Sequence, residues 1–204
     1  MIKALLLIFD TVATWERIVQ AQRRVGFVLA FFLLPLLGFT SAVEGFGLVR
    51  WGKPRGEVSW VKRFSVSEAA IFEGAQVVLW LLIIFVSAKV VKSVCETFHG
   101  QHNYTKAFAT VAYGLSPLFL LHLLDVFPAV SPWVIWGLGI FLSIAVLYQG
   151  VPRMMEPDPP HAFGLYLVSA LTVLLATGLL RFVTTWYLQG EFSKLETLLN
   201  GLKP

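Results

Sequence analysis

The sequence predicts an all-α integral membrane protein. Its plan is a five-transmembrane-helix bundle with an N-terminal amphipathic interfacial helix, a short hairpin-like loop after the first span and a short C-terminal amphipathic helix. Three observations predict it. Five apolar stretches, each of a length to cross a bilayer, fall within 204 residues; about 20 residues at roughly 1.5 Å rise suffice for a hydrocarbon core near 30 Å. The chain is 57% apolar and 14% charged, against about 45–50% and 25% in soluble domains. The stretches also lack the alternation of barrel strands, so helices are left to satisfy every backbone N–H and C=O inside lipid. Outside the spans too little chain remains for a soluble domain, and residues 1–204 read as one membrane domain.

The first 24 residues come before any span. Lys3 followed by Ala4–Phe9 imitates the start of a signal peptide, but Asp10 cuts the apolar run short, and the segment reads as retained. Leu5, Ile8, Phe9, Val12, Trp15 and Val19 share one helical face, with Lys3, Asp10, Thr14 and Arg17 opposite. That is the pattern of a helix lying in the membrane interface.

The spans fall near residues 26–43, 69–91, 106–127, 133–150 and 162–183. Pro35 is expected to bend the first. The one long connection, Glu44–Phe64, carries valine and tryptophan in Gly47–Trp51 and Glu57–Val61 around Gly52–Gly56, and reads as a small β-hairpin. Trp51 and Trp60 read as interface anchors. Ser65 with Glu68 forms a capping-box pattern at the second span. Ser131-Pro132 and Asp158-Pro159 place an N-cap and an N1 proline before the fourth and fifth. Ser193 and Glu196 repeat the capping box for a surface helix over residues 191–202, with Phe192, Leu195, Leu199 and Leu202 toward the membrane.

The net charge of +4 suits basic loops beside anionic head groups, and no basic run is dense enough for nucleic acid. Basic residues divide evenly between the two sides, with Lys203 far beyond the last span, so charge leans only slightly toward a cytoplasmic N-terminus. The single cysteine, Cys95, excludes an intrachain disulfide.

Ionisable residues inside spans are costly in lipid and mark the first place to look for function. Glu73 and Gln76 lie early in the second span, His122 and Asp125 share a face at the end of the third, and Arg181 lies near the end of the fifth. Alternating passes bring the start of an even span level with the end of an odd one. Glu73, His122, Asp125 and Arg181 therefore fall toward one leaflet and form a candidate polar intramembrane cluster, against the plainer reading that each snorkels separately. Tyr113-Gly114-Leu115-Ser116-Pro117 marks a helix kink in the third span, since Pro117 cannot donate to the carbonyl of Tyr113. Gly114, Ala112, Gly139 and Ser143 offer close helix approach. Cys95, His99 and His102 include soft-metal ligand types, but they lack a fourth ligand and Gly100 marks a loop, so no metal is assigned. No phosphate loop, dinucleotide fingerprint, nucleophile elbow or HExxH is present; no cofactor and no catalytic residue is assigned.

Several short strings carry a resemblance. Thr14-Trp15-Glu16-Arg17-Ile18 precedes the spans, and Lys106-Ala107-Phe108 with Ala112-Tyr113-Gly114-Leu115-Ser116-Pro117 occupies the third. Leu147-Tyr148-Gln149-Gly150-Val151-Pro152 closes the fourth. In content and order these resemble the Yip family of five-pass membrane proteins, named for interaction with Ypt/Rab GTPases, in its short prokaryotic form. The resemblance implies a cytoplasmic N-terminus and a membrane-organising or partner-binding role of the trafficking type. The long cytosolic region and the Asp-Leu-Tyr-Gly-Pro string of eukaryotic members do not precede the first span, so a small GTPase partner is not carried over.

The expectation is therefore a non-enzymatic protein of a bacterial cytoplasmic membrane, with the lipid bilayer, copies of itself or other membrane proteins as partners. The competing expectation is a small-solute or ion transporter working through the polar cluster and gated by protonation at His122 and a carboxylate.

Overall fold

The computed structural model describes residues 2–55, 60–98, 100 and 103–190. Among them the chain forms an arm of two short helices, α1 (Ile2–Phe9) and α2 (Thr11–Ala21). Five long helices follow: α3 (Val25–Arg50), α4 (Val66–Thr97), α5 (Tyr104–Val126), α6 (Pro132–Met155) and α7 (Pro159–Gln189). All five are long and apolar enough to cross a membrane. They extend past the apolar windows at most ends, because capped and polar turns continue the helix into the head-group zone. The predicted surface helix at 191–202 lies outside the described residues.

Each boundary has a local cause. Ser65 and Glu68 complete the capping box at α4: Glu68 N donates to Ser65 Oγ at 3.1 Å and Ser65 N to Glu68 Oε2 at 2.9 Å. Asn103 caps α5, its Oδ1 accepting from Thr105 N at 2.8 Å. Pro132 and Pro159 open α6 and α7 as first-turn prolines. Pro35 acts one turn upstream of itself. It cannot donate to the ladder, and the preceding Leu29–Leu33 widens into a π turn.

The arm differs from a single helix lying on the surface. It breaks at Asp10, whose φ of −132° and ψ of 63° leave the helical region. α1 then packs on Ser116–Leu121 of α5, and α2 packs on α6. Trp15 is fully buried and its Nε1 donates to Val146 O at 3.1 Å. Gly150 makes the room, since a Cβ there would stand 2.3 Å from the indole. The outer face of the arm presents Leu5, Phe9 and Val12.

The loop after α3 also differs. Helix continues through Gly47 to Arg50, so Gly47–Trp51 is not a strand. The hairpin is narrower, β1 (Lys53–Arg55) paired antiparallel with β2 (Trp60–Lys62), Lys53 opposite Lys62. Glycine within a helix carries a propensity cost of about 1 kcal/mol relative to alanine. Tertiary contact explains the helix: a Cβ on Gly47 would lie 2.8 Å from Val126 Cα, so glycine there permits α3 to touch α5.

α5 is the central helix, with 78% of its apolar window buried against 33–44% for the others. α3, α4 and α6 pack on it, α7 bridges α4 and α6, and the arm covers further surface of α5 and α6. Phe108, Leu115, Leu118 and Phe119 fill the centre. Ile71, Val78, Leu82, Phe141, Leu175 and Leu179 face outward, as a lipid-exposed surface requires. Lipid is as apolar as leucine, so close packing and polar contacts hold these helices together.

Candidate functional site

At the hairpin end of the bundle, four elements bring charge into the interior. The three-ten turn His122–Val126 ends α5 and carries His122 and Asp125 on one side. Arg181 reaches in from α7, and its Nη2 donates to Asp125 Oδ1 at 2.6 Å. The same guanidinium holds Pro132 O through Nε at 3.2 Å and Nη2 at 3.0 Å, pinning the start of α6. His122 Nδ1 stands 3.0 Å from Asp125 Oδ2, while its ring meets Trp80 edge-on at 5.4 Å. From β1, Lys53 Nζ donates to the carbonyl of Asp125 at 2.8 Å. Asp125 is 1% exposed, and His122 and Arg181 4% each. Paired charges at this burial are tolerated only with such bonding, since an isolated ion would cost several kcal/mol of desolvation.

Next to them lies a second pair. Gln76 Nε2 donates to Glu44 Oε2 at 2.8 Å, joining α4 to α3. Glu44, His122 and Asp125 each offer a ligand atom within 4.8 Å of the others. The donor types would suit a metal ion, but Arg181 and Lys53 already set two positive charges against Asp125 and work against another cation. Glu44 lies on the same side of the turn as His122 and Asp125, so two carboxylates share the interior with these two fixed cations.

Glu73 is set apart. It is 7% exposed, with its side chain crossing Gly45 and opening on a groove of about 520 Å³ between α3 and α4, lined by small residues such as Ser41, Ala42, Ala69 and Ala70. Neither carboxylate oxygen meets hydrogen-bond geometry with a partner among the described residues. The structure thus brings His122, Asp125 and Arg181 into direct contact and puts Glu73 on the outer side of Glu44.

The third-span motif resolves as a helix break. α5 stops at Gly114 and restarts at Ser116 with Pro117 in its first turn. Ser116 Oγ donates to the Tyr113 carbonyl at 2.6 Å, supplying the bond that Pro117 cannot. Across the interface Leu118 N donates to Ser143 Oγ at 3.3 Å. Gly114 lies under Leu147 and Gly139 under Leu118, at distances where a Cβ would be 2.3 and 2.6 Å from those side chains. Cys95 is buried, its Sγ 3.8 Å from Met155 O; His99 and His102 lie outside the described residues.

The family model for the Yip1 domain matches residues 5–181. The chain belongs to the Yip1-domain family. No curated protein and no solved structure matches it. The Yip1 match takes in the arm from Leu5 onward, the five spans nearly to their end, and Glu44, Lys53, Glu73, His122, Asp125 and Arg181, the last as its final residue.

Two members of the cluster escape sequence reasoning. Glu44 falls just past the apolar window of the first span and is assigned to the loop there. Its signal is periodicity: Leu33, Leu37, Thr40, Glu44 and Leu48 are all buried on one face of α3. Lys53 carries no such signal, because a lysine in a Gly- and Pro-rich turn reads as solvated.

Proposed function

We propose that this Yip1-domain chain is a non-enzymatic organiser of a bacterial cytoplasmic membrane, its N-terminus in the cytoplasm. The observation that carries the reading is the arm. α1 and α2 add helix, and an outward face of Leu5, Phe9 and Val12, to one leaflet beside the bundle. Trp15 in its slot over Gly150 holds them there as a fixed part of the fold. Extra cross-section in one leaflet is the physical requirement for bending or sorting a membrane. The ionic cluster at the other end fits the same reading as a clamp on α3, β1, α5, α6 and α7. Partners on this reading are lipid, copies of the chain itself and other membrane proteins.

Vesicles of phosphatidylethanolamine and phosphatidylglycerol, reconstituted with rising amounts of the full chain and imaged by electron cryomicroscopy, test it. Wild type is expected to narrow or tubulate the vesicles and Gly150→Leu, with the arm displaced, to leave them round. Spherical vesicles with both proteins sink the proposal. One observation favours transport instead: the unpartnered Glu73 carboxylate continues through Glu44 toward His122 and Asp125. Flux of protons or cations into the same vesicles, abolished by Glu73→Gln with the fold intact, would replace the organising role by that one.

A further inference from the structure

The opposite end of the bundle contains a cavity of about 510 Å³ between the arm and the ends of α5 and α6. That size lies within the roughly 300–1,000 Å³ of ligand pockets. Lys3 comes from α1, Arg23 from the joint between α2 and α3, Lys106 from α5 and Glu156 from the end of α6. Lys106 Nζ pairs with Glu156 at 2.9 Å. Lys3 and Arg23 have no carboxylate at ion-pair distance among the described residues. Three cations against one carboxylate leave the cavity with two positive charges in excess. The joint that delivers Arg23 turns at Gln22, which holds the left-handed region with φ 42° and ψ 45°, a conformation uncommon outside glycine.

The lower wall has a different chemistry. Ile18, Val28 and Ala109 are apolar, and the floor is Tyr113, seven residues along α5 from Lys106 and so about 10 Å deeper. Lys3 Nζ lies 6.0 Å over the Tyr113 ring, so one cation stands beside the floor, below Arg23 and Lys106. Basic groups together with the apolar side chains of Ile18, Val28 and Ala109 in one cavity match a molecule with an anionic head and a hydrocarbon body.

We propose that this cavity is a binding site for an anionic phospholipid, its phosphate between Lys3 and Arg23 and its glycerol and first acyl carbons against Ile18, Val28 and Ala109. The ligand would bridge arm and bundle, so arm docking and lipid composition would be coupled. Oriented guanidinium and ammonium groups are the usual partners of phosphate oxygens. The inference does not rest on the organising role, since a transporter could carry the same site.

The test is native mass spectrometry of the delipidated full chain titrated with phosphatidylglycerol, with phosphatidylcholine, and with inorganic phosphate as a competitor. Wild type is expected to retain one phosphatidylglycerol at least about ten-fold more tightly than phosphatidylcholine, unaffected by millimolar phosphate. Lys3→Gln/Arg23→Gln should lose about ten-fold or more of that preference. Arg50→Gln/Arg63→Gln, at the other end of the bundle, should keep it. Amide exchange in α2 of each variant reports whether the arm remains seated, which separates lost binding from lost fold. Equal retention of the two lipids overturns the proposal. So does an equal loss in both double variants, which would mean general surface attraction. Displacement by phosphate also overturns it and assigns the site to a free anion.

Discussion

The two ends of the bundle are joined by different physics. At the hairpin end the buried charges of Asp125, Arg181 and Lys53 meet beside His122, and the bonds among them determine which helices touch. At the arm end a flat indole lies in a slot left by a glycine, with charges lining a cavity. Lipid supplies no hydrophobic force to choose between helix faces, so specificity has to come from electrical pairing or from shape. The chain uses one at each end. Removing an atom should therefore harm the first end most, and adding one should harm the second.

The largest expected effect breaks the pairing. Asp125→Asn leaves the Arg181 guanidinium buried without its carboxylate, and breaking such a pair costs about 3–5 kcal/mol. Unfolding in mixed micelles by a denaturing detergent, followed by circular dichroism, measures it. A loss under about 1 kcal/mol would mean that the cluster is not what holds α7 to α5.

Adding a methyl comes next. Gly150→Ala puts a Cβ into the Trp15 ring and is expected to cost about 1–3 kcal/mol, as overpacking does. The cost should appear locally, as faster amide exchange in α2, while α7 keeps its protection. Uniform exchange across the chain would dissolve the contrast between the ends.

Ser116→Ala sits between the two ends and should cost about 1 kcal/mol by leaving the Tyr113 carbonyl unpaired. The same unfolding assay reads it, and an unchanged midpoint would show that another donor reaches that carbonyl. The smallest effect belongs to Glu156→Gln. Its pair with Lys106 has side chains 21% and 49% exposed, lysine first, and exposed pairs contribute about 0–1 kcal/mol. A larger loss would indicate that the cavity rim stabilises the fold as well as binding.

Much of this architecture is legible in the sequence, for identifiable reasons. Long apolar runs expose the five spans because only a helix of that length survives in lipid. Ser65 with Glu68 announces the start of α4, and Pro117 the break in α5, because both are local chemistry. Alternation of the passes brings His122, Asp125 and Arg181 level before any contact is seen. What stays hidden depends on neighbours. Gly47 reads as part of the hairpin until Val126 is set against it, and Glu44 like a loop residue until Gln76 receives it. Lys53 is readable only once the hairpin folds back on Asp125. The docking of the arm is likewise invisible, since the apolar face of α2 would suit a membrane surface as well as α6.

The central helix has a consequence for how the protein is made. α5 is the least apolar of the five, with mean hydropathy 1.7 against 1.9–2.2 for the others, yet the rest of the bundle is arranged around it. As the ribosome extends the chain, α5 reaches the bilayer when only α3 and α4 are there to receive it, and the membrane itself holds it least firmly of the set. Its Asp125 must enter before its salt-bridge partner exists, because the guanidinium that pairs with its carboxylate is synthesised 56 residues later. The last span to be translated is thus the one that secures the third.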